Sequence, residues 1–122
     1  MITIHYCLHR KAGMSIEDFS AYWRGPHADL VSSLADRLGI ARYVQNHAVL
    51  PEVAAGMQAM RGTSAPFDGI AAISFESPEA LVRGNTDPAA ADAQRLLAED
   101  EGKFIDIARS VILFTAAHEV AA

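Results

Sequence analysis

A chain of 122 residues with 51% hydrophobic and 20% charged residues has the length of one domain around one core, and its composition excludes a disordered or purely solvating segment. The net charge of −5 comes with no basic block beyond Arg10-Lys11, which argues against nucleic acid as a partner, because phosphate binding needs a clustered cationic footprint. The only cysteine, Cys7, has no partner for an internal disulfide, no apolar run approaches the ~20 residues that cross a bilayer, and Met1–Leu8 lacks the pattern of a secretory leader; the expectation is a single cytoplasmic domain over residues 1–122, without membrane insertion.

Residues 2–9 alternate Ile2, Ile4, Tyr6 and Leu8 with Thr3, His5, Cys7 and His9, the two-residue period of a strand with one face more apolar than the other. Gly13 closes a turn, and Ser15 with Asp18 three positions on resembles a capping box that opens a helix. Phe19, Trp23, Leu30, Leu34 and Leu38 then recur at helical spacing, with a kink expected at Gly25-Pro26 and a stop at Gly39. Ile40–Leu50 reads as a second strand that presents Tyr43, Gln45 and His47 on one face. Residues 51–68 form a connection with one short helix over Glu52–Met60, ending in the Asp68-Gly69 turn. Gly69–Glu76 is a third strand, and Ser77-Pro78 opens a short helix that Gly84 is expected to end. Asp87-Pro88 starts another helix carrying Ala93, Leu96, Leu97, Phe104 and Ile107 on one side, and Val111–Ala116 is a fourth strand.

The order β-α-β-β-α-β is that of a ferredoxin-like split βαβ unit, an α+β fold with a four-stranded antiparallel sheet and helices on one face. Strands three and four carry apolar residues on both faces, for example Ala71 and Ile73 against Ile70 and Ala72. A sheet with two apolar faces calls for a second cover, and a second copy of the chain is the economical one.

The motifs Tyr22-Trp23…His27, Arg42-Tyr43-Val44-Gln45-Asn46-His47, Phe67-Asp68-Gly69 and Glu99-Asp100-Glu101…Phe104-Ile105-Asp106 together resemble the EthD family over nearly the whole chain. The resemblance implies a homodimer built as a dimeric α+β barrel, with two sheets face to face and the helices outside. It also implies a small-molecule ligand. The family takes its name from a gene cluster for ethyl tert-butyl ether degradation, where its member accompanies a haem monooxygenase, so a partner oxygenase joins the expected partners. Related barrels include cofactor-free polyketide dehydratases, muconolactone isomerases and quinone-forming monooxygenases, so the resemblance implies shape more firmly than chemistry.

Among residues that could carry chemistry, His27 falls on the apolar stripe of the first helix and Asp100 in the middle of the apolar side of the last one. Each has a plain reading, a packed imidazole bonded to a carbonyl and a boundary carboxylate reaching solvent. Because both helices rest on one sheet face, the two can also converge as a catalytic acid–base pair suited to dehydration or enolisation, with no cofactor required. Tyr43, Gln45, His47 and Asp68, with Trp23, are candidate substrate-binding groups, or else a polar seam between copies. Arg61 matches a basic position of the family pattern and would meet an acidic substrate, or else serve as a solvated loop charge. His5, Cys7 and His9 share a strand face, but without a second ligand pair they read as surface, and no metal is expected. Three functions stay open: a cofactor-independent lyase or isomerase acting on an aromatic or polyketide-like carbonyl compound, a non-catalytic accessory to an oxygenase, and a cofactor-free monooxygenase assisted by Trp23 or Tyr43.

Overall fold

The computed structural model covers residues 1–122. Its elements run β1 (Ile2–Leu8), α1 (Ile16–Tyr22), a π-helical turn (Trp23–His27), α2 (Ala28–Leu38), β2 (Arg42–His47), α3 (Pro51–Arg61), β3 (Gly69–Phe75), α4 (Pro78–Thr86), α5 (Pro88–Glu101), a 3-10 turn (Ile107–Arg109) and β4 (Val111–Thr115). The helix starts follow from local chemistry. Ser15 accepts from the Asp18 N–H at 3.1 Å, Ser77 from the Ala80 N–H at 3.1 Å and Asp87 from the Ala89 N–H at 2.9 Å, each satisfying a donor that the first helical turn leaves unpaired. Gly39 ends α2 in the left-handed region at φ 71°, where a side chain would be strained. Gly84 does not end α4, contrary to the expectation. It lies inside the helix, where α4 crosses the end of α2 so closely that a Cβ would collide with the Leu38 carbonyl.

The four strands form one antiparallel sheet in the order β2-β3-β1-β4. Registers such as Ile4 opposite both Ile73 and Phe114, and Tyr43 opposite Ile73, place Tyr6, Leu8, Tyr43, Gln45, Ala71, Ile73, Ile112 and Phe114 on the face toward the helices. The expectation of an α+β barrel is corrected here. β2 and β4 are both edge strands, each paired on one side only, and the sheet is open. Four strands are too few to curl around a filled interior, which takes about eight. The apolar residues on the two strand faces have different surroundings, and those of the helix-free face have no cover within this chain. Ala71 and Phe75 are buried beneath the helices, while the opposite face mixes Ile70 and Ala72 with Ser74, whose hydroxyl pairs with Thr3 at 2.9 Å.

The core divides into two parts. Leu8, Phe19, Trp23, Ala71, Phe104 and Ile105 fill the space between α1, the sheet and the chain after α5. Leu34, Leu38, Ala90 and Ala93 seal α2 against α5, the two alanines keeping the helices close. α5 stops at Glu101, so Phe104 reaches the core from the following turn and Ile107 is exposed rather than inward-facing. The edge strand β4 leaves Val111, Ile112, Leu113 and Phe114 exposed.

Candidate functional site

The site begins with a defect in a helix. Pro26 has no N–H to give to the carbonyl four residues back, and its ring would crowd that carbonyl in an α-helix. The chain widens into a π turn over Trp23–His27, and the Ala28 N–H reaches back to the Trp23 carbonyl. Single π turns of this kind recur at functional sites. The same Trp23 carbonyl accepts a second hydrogen bond at 2.7 Å from the side-chain amide of Gln45 on β2, which ties the turn to the sheet. Trp23 and His27 are consequently buried on the inner side, and the next inward position is Val31 rather than Leu30.

His27 and Asp100 meet between the helices and the sheet. His27 Nδ1 lies 2.7 Å from Asp100 Oδ2, and the Tyr22 hydroxyl donates to Asp100 Oδ1 at 2.6 Å. Lys103 adds a weaker ion pair to the same oxygen at 3.4 Å. Burial pushes the Asp100 carboxyl up, but the hydrogen bonds from Tyr22 and His27, with the neighbouring positive charge, outweigh it and hold the group below the usual carboxylate range. Burial acts on His27 in the other sense and pushes the imidazole below its ordinary value, against the opposing pull of Asp100. The pair is therefore a neutral imidazole whose Nδ1–H donates to a carboxylate, leaving Nε2 free as a base. The Tyr22 phenol, bound to that carboxylate, is pushed up to about 12 and stays a donor.

His27 lines a small inner cavity of about 40 Å³ with Leu8, Trp23, Val31 and Tyr43. Beside it lies a larger cavity of about 270 Å³, walled by Ile4, Phe75, Gln94 and Ala98 and reaching the exposed Ile112 and Phe114. Tyr6, Ile40, Ile73, Leu97 and Glu101 belong to both walls, so the two spaces adjoin.

Tyr43, Gln45 and His47 form a relay along β2. The Gln45 amide is spent on the Trp23 carbonyl and, at 3.0 Å, on the Tyr43 hydroxyl. Its carbonyl therefore accepts from His47 Nε2 at 2.9 Å, which fixes the imidazole tautomer. His47 Nδ1 is buried without a partner, and burial together with Arg24 pushes that ring below its ordinary value. Because the Tyr43 oxygen already accepts from Gln45, its own proton is left to donate elsewhere, and the residue stands on the inner cavity wall. The Trp23 ring packs on His47 at 4.3 Å and lies across Gly69, where a Cβ would come 2.5 Å from the ring.

Two expected site residues lie elsewhere. Asp68 does not face either cavity; it accepts from the Arg10 backbone at 2.7 Å and from its guanidinium at 2.6 Å, fastening the turn before β3 to the end of β1. Arg61 ends α3, exposed and apart from the cavity walls. The largest surface cleft, about 580 Å³ beside α3, holds as its charged groups only Arg10 and Asp68, which neutralise each other. Just after β1, His9 packs against Phe67 at 4.6 Å. Three residues of the site went unassigned in the sequence: Tyr6, Tyr22 and Glu101. Tyr6 shares the apolar alternation of β1, and Tyr22 and Glu101 flank Trp23 and Asp100 in the motifs quoted above, so adjacency was the available signal.

Comparison with known proteins agrees with this architecture. The dehydratase ustZ of Ustilaginoidea virens is 30% identical over 107 residues, covering 85% of this chain and 74% of that protein. A crystal structure of an ethyl tert-butyl ether degradation (EthD) family protein from Bacillus halodurans superposes with a TM-score of 0.62 at 12% identity, covering 97% of this chain and all of that one. A ferredoxin-like protein of unknown function from Bacteroides fragilis, described as dimeric, superposes with a TM-score of 0.58 at 7% identity over 93% of each chain. The sequence pattern of the EthD domain matches residues 11–108, most of the chain, and the protein belongs to the EthD family.

Proposed function

We propose that this protein is a cofactor-independent lyase or isomerase that moves a proton beside the carbonyl of an aromatic or polyketide-like compound, most simply in a dehydration. The observation that carries the reading is the 2.7 Å contact between His27 Nδ1 and Asp100, on an imidazole that lines a cavity. Asp100 fixes the tautomer and stabilises the imidazolium that forms when Nε2 takes a proton. Tyr43, with its proton free, donates to the carbonyl oxygen where negative charge develops. Trp23 holds the wall behind both. The name of the dehydratase relative supports the same reaction class.

No helix is long and apolar enough to cross a membrane. We place the protein in the cytoplasm as a homodimer, a reading supported by the single unpaired Cys7, by the exposed apolar strand β4 and by the dimeric relative of the same fold. The test of the reaction is substitution at the pair. His27→Gln keeps a polar side chain but no group that exchanges a proton near neutral pH, and turnover of a carbonyl substrate is expected to fall ~100-fold or more with the fold retained. Asp100→Asn is expected to cost less. Unchanged turnover in His27→Gln removes the mechanism. Loss of ligand affinity in a protein that never turns over its ligand makes it an accessory binder instead.

A further inference from the structure

The proposed reaction uses one buried ionisable pair, and the cavity contains another. Glu101 follows Asp100 at the end of α5, and the two consecutive carboxylates point to different places. Asp100 turns behind His27, whereas Glu101 lies on the wall common to the inner and outer cavities. It is the only carboxylate on either wall. The Tyr6 phenol stands against it from β1, Tyr43 approaches from β2, His27 shares the inner cavity from the π turn, and Asp100 is its neighbour on the helix. The rest of the inner wall, Ile40, Ala71, Ile73 and Leu97, is apolar. None of the facing groups is a cation at neutral pH, so nothing here pairs with an ionised Glu101.

Resting on the dyad reading above, we propose that Glu101 is the second catalytic acid–base group, and that the substrate class is a β-hydroxy carbonyl compound with an aryl or similarly apolar end. The carbonyl and the reacting carbons sit at the inner cavity, and the apolar end lies in the outer one, against Ile4, Phe75, Leu97 and Phe114. His27 Nε2 removes a proton from the carbon beside the carbonyl, and the electrons of that C–H bond become the new C=C bond. The C–O bond to the adjacent carbon breaks, and its oxygen takes the Glu101 proton and leaves as water. Imidazolium and carboxylate then return to their starting states by passing one proton from His27 to Glu101, directly or through water. Atoms and charges balance without a cofactor. Burial, chiefly, and then the adjacent Asp100 charge push the Glu101 carboxyl above its usual range while the nearby Tyr6 phenol opposes them, and His27 is pushed the other way. Such divergence is how one site holds an acid and a base together.

The test uses the full chain with the water adduct of benzylideneacetone, a β-hydroxy methyl ketone with one aryl end whose dehydration is read by the absorbance of the conjugated product. Glu101→Gln is expected to lower kcat ~100-fold and to abolish the fall in activity that wild type shows as pH rises through the Glu101 value. Glu101→Asp, which keeps the acid on a shorter arm, is expected to recover part of the loss. Carbon NMR titration of glutamate-labelled wild type, which needs no variant to fold, is expected to show one carboxyl that ionises well above the others. Ordinary titration of every glutamate overturns the assignment. Full activity in Glu101→Gln with an inactive His27→Gln overturns the role of Glu101 and leaves the dyad standing, whereas a wild type inert to the β-hydroxy ketone removes both.

Discussion

His27 and Asp100 also make stability depend on pH, and the sign follows from the direction of each shift. The folded His27 takes up a proton less readily than its ordinary value of 6.5 allows. Its contribution is whole above that value and is lost as pH falls below it. Asp100 is held below its ordinary 3.8, so its contribution survives until lower pH and is lost as pH falls through the folded value. Glu101, pushed above 4.5, works the other way and loses stability as pH rises. In denaturant melts between pH 7 and 5, His27→Gln is therefore expected to weaken less toward acid than wild type does, and Glu101→Gln to weaken more, because it removes the opposing group. A wild-type slope that His27→Gln leaves untouched would place the acid sensitivity elsewhere. Tyr22, partly buried, completes the cluster, since its hydroxyl occupies the carboxylate oxygen that His27 leaves open.

The elements that carry these residues are joined by two close approaches of glycine. Gly69 at the start of β3 admits the Trp23 ring, with a Cβ meeting it at 2.5 Å and the Asn46 carbonyl at 2.9 Å. Gly69→Ala is expected to destabilise by about 1–3 kcal/mol through overpacking and to disturb the Trp23–His47 stack, visible in tryptophan fluorescence. Gly56, within α3 with no neighbour near a Cβ, is the contrast, and Gly56→Ala is expected to raise stability by roughly 0.5–1 kcal/mol. Most of the element order was legible in the sequence because caps and periods are local: Ser15, Ser77-Pro78 and Asp87-Pro88 each start a helix where they stand. A meeting of His27 and Asp100 was one reading open in the sequence, beside a packed imidazole and a boundary carboxylate, because two apolar helix faces lie over one sheet; the 2.7 Å contact brings the two together. What periodicity could not show is where a long-range contact overrides a local rule. Gly84 looks like a stop but is a crossing point, because the Leu38 carbonyl of α2, distant in sequence, cannot be read from its neighbours. Asp68 looked like a member of the β2 site until Arg10, distant in sequence, was seen to hold it. The placement of Glu101 depended on the way the end of α5 sets two adjacent carboxylates against different surroundings.

For the whole molecule, the unresolved demand is the uncovered sheet. Val111 and Leu113 project from the helix-free face, and Ile112 and Phe114 from the other, all roughly half exposed on an edge strand. An edge of this kind invites pairing or cover. Light scattering is expected to return twice the 13.1 kDa chain mass, and Leu113→Lys is expected to shift it toward monomer by placing a charge on the apolar face; a wild-type monomer at micromolar concentration would remove the dimer. Ile112 and Phe114 have a second membership, in the wall of the outer cavity. A second copy that wraps the β4 edge far enough to cover Ile112 and Phe114 as well as Leu113 would therefore also close that cavity, and ligand uptake and self-association would become two readings of one equilibrium. By linkage, each favours the other to the same degree. The apparent affinity for ligand should then strengthen as the protein is concentrated, and dilution alone should act as an inhibitor.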